Sequence, residues 1–192
     1  MKSWFTVEQI DFDTHIISEY RHWEETHCYL LVGSKRALLI DTGLGICDIS
    51  KEIKKLTAKP VTAVATHIHW DHIGGHKYYP DFYAHEAELN WLSGEFPLSI
   101  ETIRGMVIDR CDLPDGYDVN NYKFFQGAPS RVYMTEILLI LEIERLQSFT
   151  RPVIRLVICV FGKLNAVICL PGILFIRTHC LHIIRPPIRK CI

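Results

Sequence analysis

No Asp or Glu follows Glu144 in this 192-residue chain, and no Asp follows Asp118. The stretch after Glu144 therefore offers no carboxylate to ligate a metal or accept a proton. An excess of either charge is also missing. There are 21 Lys and Arg against 22 Asp and Glu, a formal net charge of −1. That balance supplies no basic face for nucleic acid or for an anionic membrane. No two of the seven cysteines have C-x-x-C spacing, which excludes a zinc ribbon or a thioredoxin-like motif. Cys28, Cys47 and Cys111 stand alone, and Cys159, Cys169, Cys180 and Cys191 fall near the end. Reduced, mostly buried thiols are expected. Met1-Lys2-Ser3-Trp4 runs into polar, acidic sequence without the apolar core of a secretory signal. The expected compartment is the cytoplasm.

What is present is enough for one domain: 48% hydrophobic and 22% charged residues over a length that can close a core. Residues 1–131 alternate strand and helix patterns. Tyr29–Gly33 and Ala37–Gly43 are apolar runs around the polar turn Ser34–Arg36, a hairpin pattern. From Ile46 to Ala58, Ile49, Ile53 and Leu56 recur at helical spacing among lysines. Val61–Thr66 is β-branched and apolar, so a buried strand is expected. Phe82–Ala84 reads as a short strand, and Glu86–Leu92 and Leu98–Arg110 as helices. Asp112–Gly127 carries Pro114, Gly116 and Asn120-Asn121 and reads as loop.

The chemistry sits where the buried strand ends, in Thr66-His67-Ile68-His69-Trp70-Asp71-His72-Ile73-Gly74-Gly75-His76. Side chains at i and i+2 of an extended chain point the same way, so His67 and His69 can face one metal ion. Asp71 and His72 follow a turn and can reach a second ion. Gly74 and Gly75 would permit a tight turn beside them. Imidazole and carboxylate donors suit Zn²⁺, with iron or manganese as alternatives. Two such ions about 3.5–4 Å apart can share a hydroxide that attacks a carbonyl or phosphoryl centre. His76 is expected at the surface or supporting the motif rather than ligating. His85 with Glu86 and Glu88 reads as a helix cap, Trp70 as a pocket-lining or packing residue, and Trp91 as packing. His15, His22 and His27 are expected before the hairpin strands, with no assigned role.

H-x-H-x-D-H after an apolar strand, preceded by Leu39-Ile40-Asp41-Thr42-Gly43, resembles the metallo-β-lactamase superfamily over about residues 12–131. The resemblance implies an α/β (α+β) αβ/βα sandwich, of which this region is the N-terminal half. It implies a dinuclear zinc hydrolase, with His67 and His69 on the first ion and Asp71 and His72 on the second. Asp71 is then also the candidate catalytic residue. Asp41 would be a carboxylate that orients the metal loop, a role compatible with a hydrogen-bonded turn residue. The implied partner is a small-molecule substrate, an ester or thioester by analogy, with no nucleic acid or membrane partner.

The family's remaining ligands are not recognisable in residues 132–192. These are a histidine in a T-P-G-H-like turn, a bridging aspartate after glycine, and a last histidine. Only His179 and His182 occur there. We read this segment as an aberrant, out-of-frame tail. In a shifted frame Phe149–Ile158 is compatible with H-T-P-G-H-S-P-G-H, Leu170–Ile173 with T-G-D, and Leu139–Ile143 with D-F-G-D. The expectation for this exact chain is no family-like second sheet, poor stability, weak metal binding and little hydrolysis. A relic without catalysis is the competing reading. A membrane span over Leu156–Ile176 is a third, penalised by Lys163, Asn165 and Pro171.

Overall fold

The structure is a computed structural model. It describes residues 3–132 with their side chains, residue 133, and the backbone of four further strands at 137–143, 154–161, 164–170 and 175–177. Strands β1 (Thr6–Asp11) and β2 (Thr14–Ser18) form a first hairpin, and β3 (His27–Val32) and β4 (Ala37–Ile40) a second. Helix α1 (Ile49–Leu56) leads to β5 (Val61–Val64), and the short helix α2 (Trp70–Ile73) follows. After β6 (Phe82–His85) come a 3-10 turn over Glu86–Glu88, α3 (Leu89–Leu92) and α4 (Ile100–Ile108). β7 (Arg131–Tyr133) closes a seven-stranded sheet in sequence order. Pairing is antiparallel from β1 to β4 and parallel from β4 to β7.

The hairpin expected from the apolar runs is β3–β4. The helices expected at Ile46–Ala58 and Leu98–Arg110 form over slightly shorter ranges, each capped by a side chain: Asp48 accepts from Ser50 N–H, and Ser99 from Thr102 N–H. His27 corrects the reading, since it lies within β3 rather than before the hairpin, whereas His15 precedes that hairpin as a residue of β2. Cys28 is buried and free, and Cys47 and Cys111 are half-buried and free.

Strands β3 and β4 are apolar at consecutive positions because both of their faces are buried. One face, with Ile17, Leu30, Leu39 and Ala63, packs in a common core with Ile49 and Ile53 of α1, Ile73 of α2, and Ile103 and Val107 of α4. The other carries Ile16, Tyr29, Leu31, Leu38, Ile40, Val64 and Tyr83, matched across the sheet by register. All seven are buried.

The tail has strands of its own. β8 (Ile137–Ile143), β9 (Ile154–Phe161), β10 (Leu164–Leu170) and β11 (Phe175–Arg177) form an antiparallel sheet in the order β11-β10-β9-β8. Runs such as Ile154-Arg155-Leu156-Val157-Ile158 have strong strand propensity whatever frame produced them. The span proposed at Leu156–Ile176 is thus strand, not helix, over most of its length. Among the described residues no helix is long and apolar enough to cross a membrane. His179 and His182 lie outside the described residues.

Gly105 lies in the interior of α4 on its exposed side, and a methyl group there meets no atom within 4 Å. Gly105→Ala should therefore raise stability by about 0.5–1 kcal/mol, measured as a higher urea midpoint at unchanged slope.

Candidate metal centre

The parallel run β4–β5–β6 sends three segments out of the same end of the sheet, and the histidine motif is the middle one. After β5 the ladder persists for one bond, Ala65 N–H to Tyr83 O at 3.0 Å. The next donor is taken by a side chain. Thr66 N–H donates to Asp41 Oδ1 at 2.8 Å, and the Thr66 hydroxyl to Asp41 Oδ2 at 2.7 Å. Asp41 is buried and lies in the left-handed region, at φ 57°. An L-residue accepts that at a cost of about 1–2 kcal/mol. The strain turns its carboxylate across the end of β5.

This carboxylate sets the proton positions on two imidazoles. The Thr66 hydroxyl spends its proton on Asp41, so His67 Nδ1–H donates to Thr66 Oγ1 at 3.0 Å. His67 Nε2 is left with its lone pair outward. His72 Nδ1–H donates directly to Asp41 Oδ2 at 2.9 Å. This is how proteins fix the tautomer and orientation of a ligating histidine. The motif's other nitrogens converge. His67 Nε2 lies 3.1 Å from His69 Nδ1, and His72 Nε2 lies 3.1 Å from Asp71 Oδ2.

Both separations suit a metal. Two bonds of about 2.0–2.1 Å at a tetrahedral angle place their donors about 3.3 Å apart. Each pair therefore fits two positions round one ion. Among the described residues no group of three or more His, Cys, Asp or Glu side chains is placed to hold a metal ion. Asp71 and His72, expected to reach a second ion after a turn, begin close beside the first pair. The His72 ring packs 4.2 Å from that of His67, because α2 starts immediately after His69 and carries His72 back against it.

Electrostatics follow from this packing. Burial alone would lower the His72 pKa, but the charges of Asp41 and Asp71 raise it well above the ordinary histidine value. Burial pushes His67 down to about 4, and the charge of His72 adds to the fall. Burial would raise Asp71, yet the charge and hydrogen bond of His72 bring it down to about 2.

Gly74 and Gly75 are needed for a different reason from the one the sequence suggests. Gly74 has ordinary right-handed helical angles, φ −58° and ψ −30°, and Gly75 has φ −94°. They are glycines because of close approach. A Cβ on Gly74 would sit 2.3 Å from the Leu44 carbonyl, and one on Gly75 2.7 Å from the Thr42 oxygen. Gly74 N–H donates to Gly43 O and Thr42 N–H to His72 O, each at 2.8 Å. The Asp41–Gly45 segment and the metal loop thus lie backbone against backbone. His76, expected at the surface or supporting the motif, takes the supporting place: it is fully buried, bonded to the Thr42 hydroxyl and edge-on to Phe82. Trp70 packs in the core, and Trp91 stacks on His69. His85 caps its turn as expected, accepting from Ala87 N–H.

Three neighbours had no sequence signal. His22 is buried, contacts Met106 O through Nε2, and meets Trp70 edge-on. Glu88, read as part of the cap, accepts from Ile68 N–H instead. Glu19, buried just after β2, accepts from Trp4 Nε1–H and Leu44 N–H, both at 2.8 Å. Burial raises its pKa to about 7 against the lowering pull of those two bonds. A raised folded pKa means that the contribution to stability is fullest below about 4.5 and is lost as pH rises through about 7. In chelator-treated protein, denaturation from pH 4.5 to 8 should show Glu19 losing about 3 kcal/mol, with Glu19→Gln as the pH-independent reference.

Residues 22–103 match the family model described as the metallo-beta-lactamase superfamily. The structure resembles the metallo-beta-lactamase FEZ-1 from Legionella gormanii at TM-score 0.55, with 13% identity, over 92% of this chain and 64% of that one. It also resembles a metallo-beta-lactamase from Pontibacter korlensis at TM-score 0.50, with 17% identity, over 86% of this chain and 66% of that one. The N-terminal part of this chain is a metallo-β-lactamase-fold domain. Among curated proteins, this domain is similar to acyl-coenzyme A thioesterase MBLAC2 of Gallus gallus, 32% identical over 96 residues, 44% of this chain and 35% of that protein. The human MBLAC2 is 33% identical over 86 residues, 38% of this chain and 31% of that protein. The match thus spans about a third of the length of these relatives. In the metallo-β-lactamase-fold domain the motif occupies the end of a parallel strand, where neighbouring strand ends can reach it.

Proposed function

We propose that this chain carries the N-terminal half of a dinuclear metal-dependent hydrolase. His67 and His69 hold one ion, and Asp71 and His72 the second, with zinc the best match to the donor set. The reading rests on one observation: two donor pairs, each 3.1 Å apart, with one imidazole of each pair, His67 through Thr66 and His72 directly, held by a shared buried carboxylate. When bound, such ions polarise a carbonyl and acidify water, so that a nucleophile exists at neutral pH. The chain's own residues do the rest. Asp41 holds His67, through Thr66, and His72 in their ligating tautomers. Asp71, the candidate catalytic residue, stays ionised beside His72 as a ligand and proton acceptor. The substrate class is a small ester, thioester or lactam, with the likeness to acyl-coenzyme A thioesterases favouring a thioester.

A second reading is favoured by the composition of residues 132–192. There the chain is an out-of-frame product that holds metal weakly through the two pairs and hydrolyses little. Genomic DNA across the codons for Ser130–Tyr133 tests this. A single-base insertion or deletion followed by the missing motifs supports it, and an uninterrupted frame opposes it. The hydrolase reading is tested by thiol release from acyl-coenzyme A with zinc, comparing this chain with a frame-restored version. Zinc-dependent turnover is expected from the restored protein. Absence of both zinc uptake and turnover in that protein contradicts the proposal.

A further inference from the structure

Asp41 reaches the metal loop from the end of β4, on one side of β5. On the other side, the segment after β6 makes two contacts of its own. Glu88 accepts a hydrogen bond from Ile68 N–H at 3.2 Å. Trp91, three residues on, lies flat against His69, with ring centroids 5.6 Å apart and planes at 11°. Phe96 backs the Trp91 ring edge-on at 5.6 Å and 78°. We propose that Glu88 and Trp91 are positioning residues that fix His69 and, through Ile68, the spacing between His67 and His69. This rests on the proposed metal role of those histidines.

The physical case starts from exposure. His67 is half-buried, and its Nδ1 is tied to Thr66. His69 is exposed, so its rotamer is not fixed by core packing. A flat aromatic neighbour restricts that rotation and leaves the ring nitrogens at its edge accessible. The backbone needs the same restraint. The shared direction of His67 and His69 depends on an extended chain through Ile68, and His69 is extended, at φ −115° and ψ 151°. Ile68 is anchored at both ends, its side chain fully buried and its N–H held by Glu88. Two carboxylates from the segments that follow the strands flanking β5, Asp41 and Glu88, therefore hold successive parts of one loop.

The test compares Glu88→Ala, Glu88→Gln, Trp91→Leu and Trp91→Phe with the unaltered chain. One readout is the NMR signal of the His69 imidazole in chelator-treated protein. The other is zinc affinity by competition with a chromophoric chelator. Trp91→Leu should remove the ring-current shift of His69 and weaken zinc by about 10–100-fold. Glu88→Ala should weaken it about tenfold. Trp91→Phe keeps a ring, and Glu88→Gln keeps an oxygen acceptor, so each should stay within about threefold of the parent. Circular dichroism identifies any variant that fails to fold, and the conservative pair then carries the comparison through their own His69 signals. Unchanged His69 signals and equal zinc affinity in all four variants overturn the positioning role and leave the hydrolase reading intact. Altered His69 signals in a chain that takes up no zinc support the positioning role and remove the metal reading.

Discussion

Asp41→Ala should lower stability by about 3–5 kcal/mol, the usual cost of removing one member of a buried charged pair, and weaken zinc by about 10–100-fold. Asp41 alone accepts from Thr66 N–H, the Thr66 hydroxyl and His72 Nδ1. Its loss strands three buried or half-buried donors and frees the tautomers of two imidazoles. Asp41→Asn separates these effects. Asparagine tolerates the left-handed backbone, and its oxygen can still accept from Thr66 N–H. Its amide group, however, meets the Thr66 hydroxyl and His72 Nδ1–H with another donor. The asparagine variant should keep more of the stability than alanine and lose most of the zinc affinity. Urea denaturation of metal-free protein and chelator competition measure the two quantities separately. Equal zinc affinity in all three proteins contradicts the role given to Asp41.

Gly74→Ala should be strongly destabilising for a single added methyl group. Its Cβ would fall 2.3 Å from both the Leu44 carbonyl carbon and its oxygen, and backbone cannot swing aside as a side-chain tip does. The cost is about 3 kcal/mol or more, lowering Tm by roughly 6–12 °C in a chain of this size. Zinc affinity should fall with it, because the hydrogen bonds from Gly74 N–H to Gly43 O and from Thr42 N–H to His72 O bind the two loops together. Scanning calorimetry beside Gly105→Ala gives the contrast. A Gly74→Ala protein as stable as the parent would show that the loops can separate without harm.

The sequence displayed what repeats or clusters locally and hid what forms at a distance. His67, His69, Asp71 and His72 fall within six positions, and the β-branched run before them marks the strand that presents them. Both periodicities survive into the structure. Asp41 was legible because it ends an apolar run beside Thr42 and Gly43. Glu19 and Glu88 were not, since an acid after a strand or in a short turn has many ordinary uses. Only the sheet order brings them to Leu44 and Ile68. Gly74 was read correctly as necessary and wrongly as conformational, because close approach depends on a segment 30 residues earlier. The burial of His76 was not legible for a similar reason: it comes from Phe82 and Thr42, neither of them its neighbour in sequence. The tail's strands reflect propensity that a frame reading does not weigh.

The central claim is that the loop from His67 to His72 is a metal site already shaped by Asp41. Titrating the metal-free chain with Co²⁺ and following the visible absorption of the bound ion tests this directly. A saturable spectrum is expected, lost in His67→Ala and His72→Ala while far-ultraviolet circular dichroism is retained. A parent chain that is folded yet develops no cobalt spectrum, or one whose spectrum survives both substitutions, contradicts it.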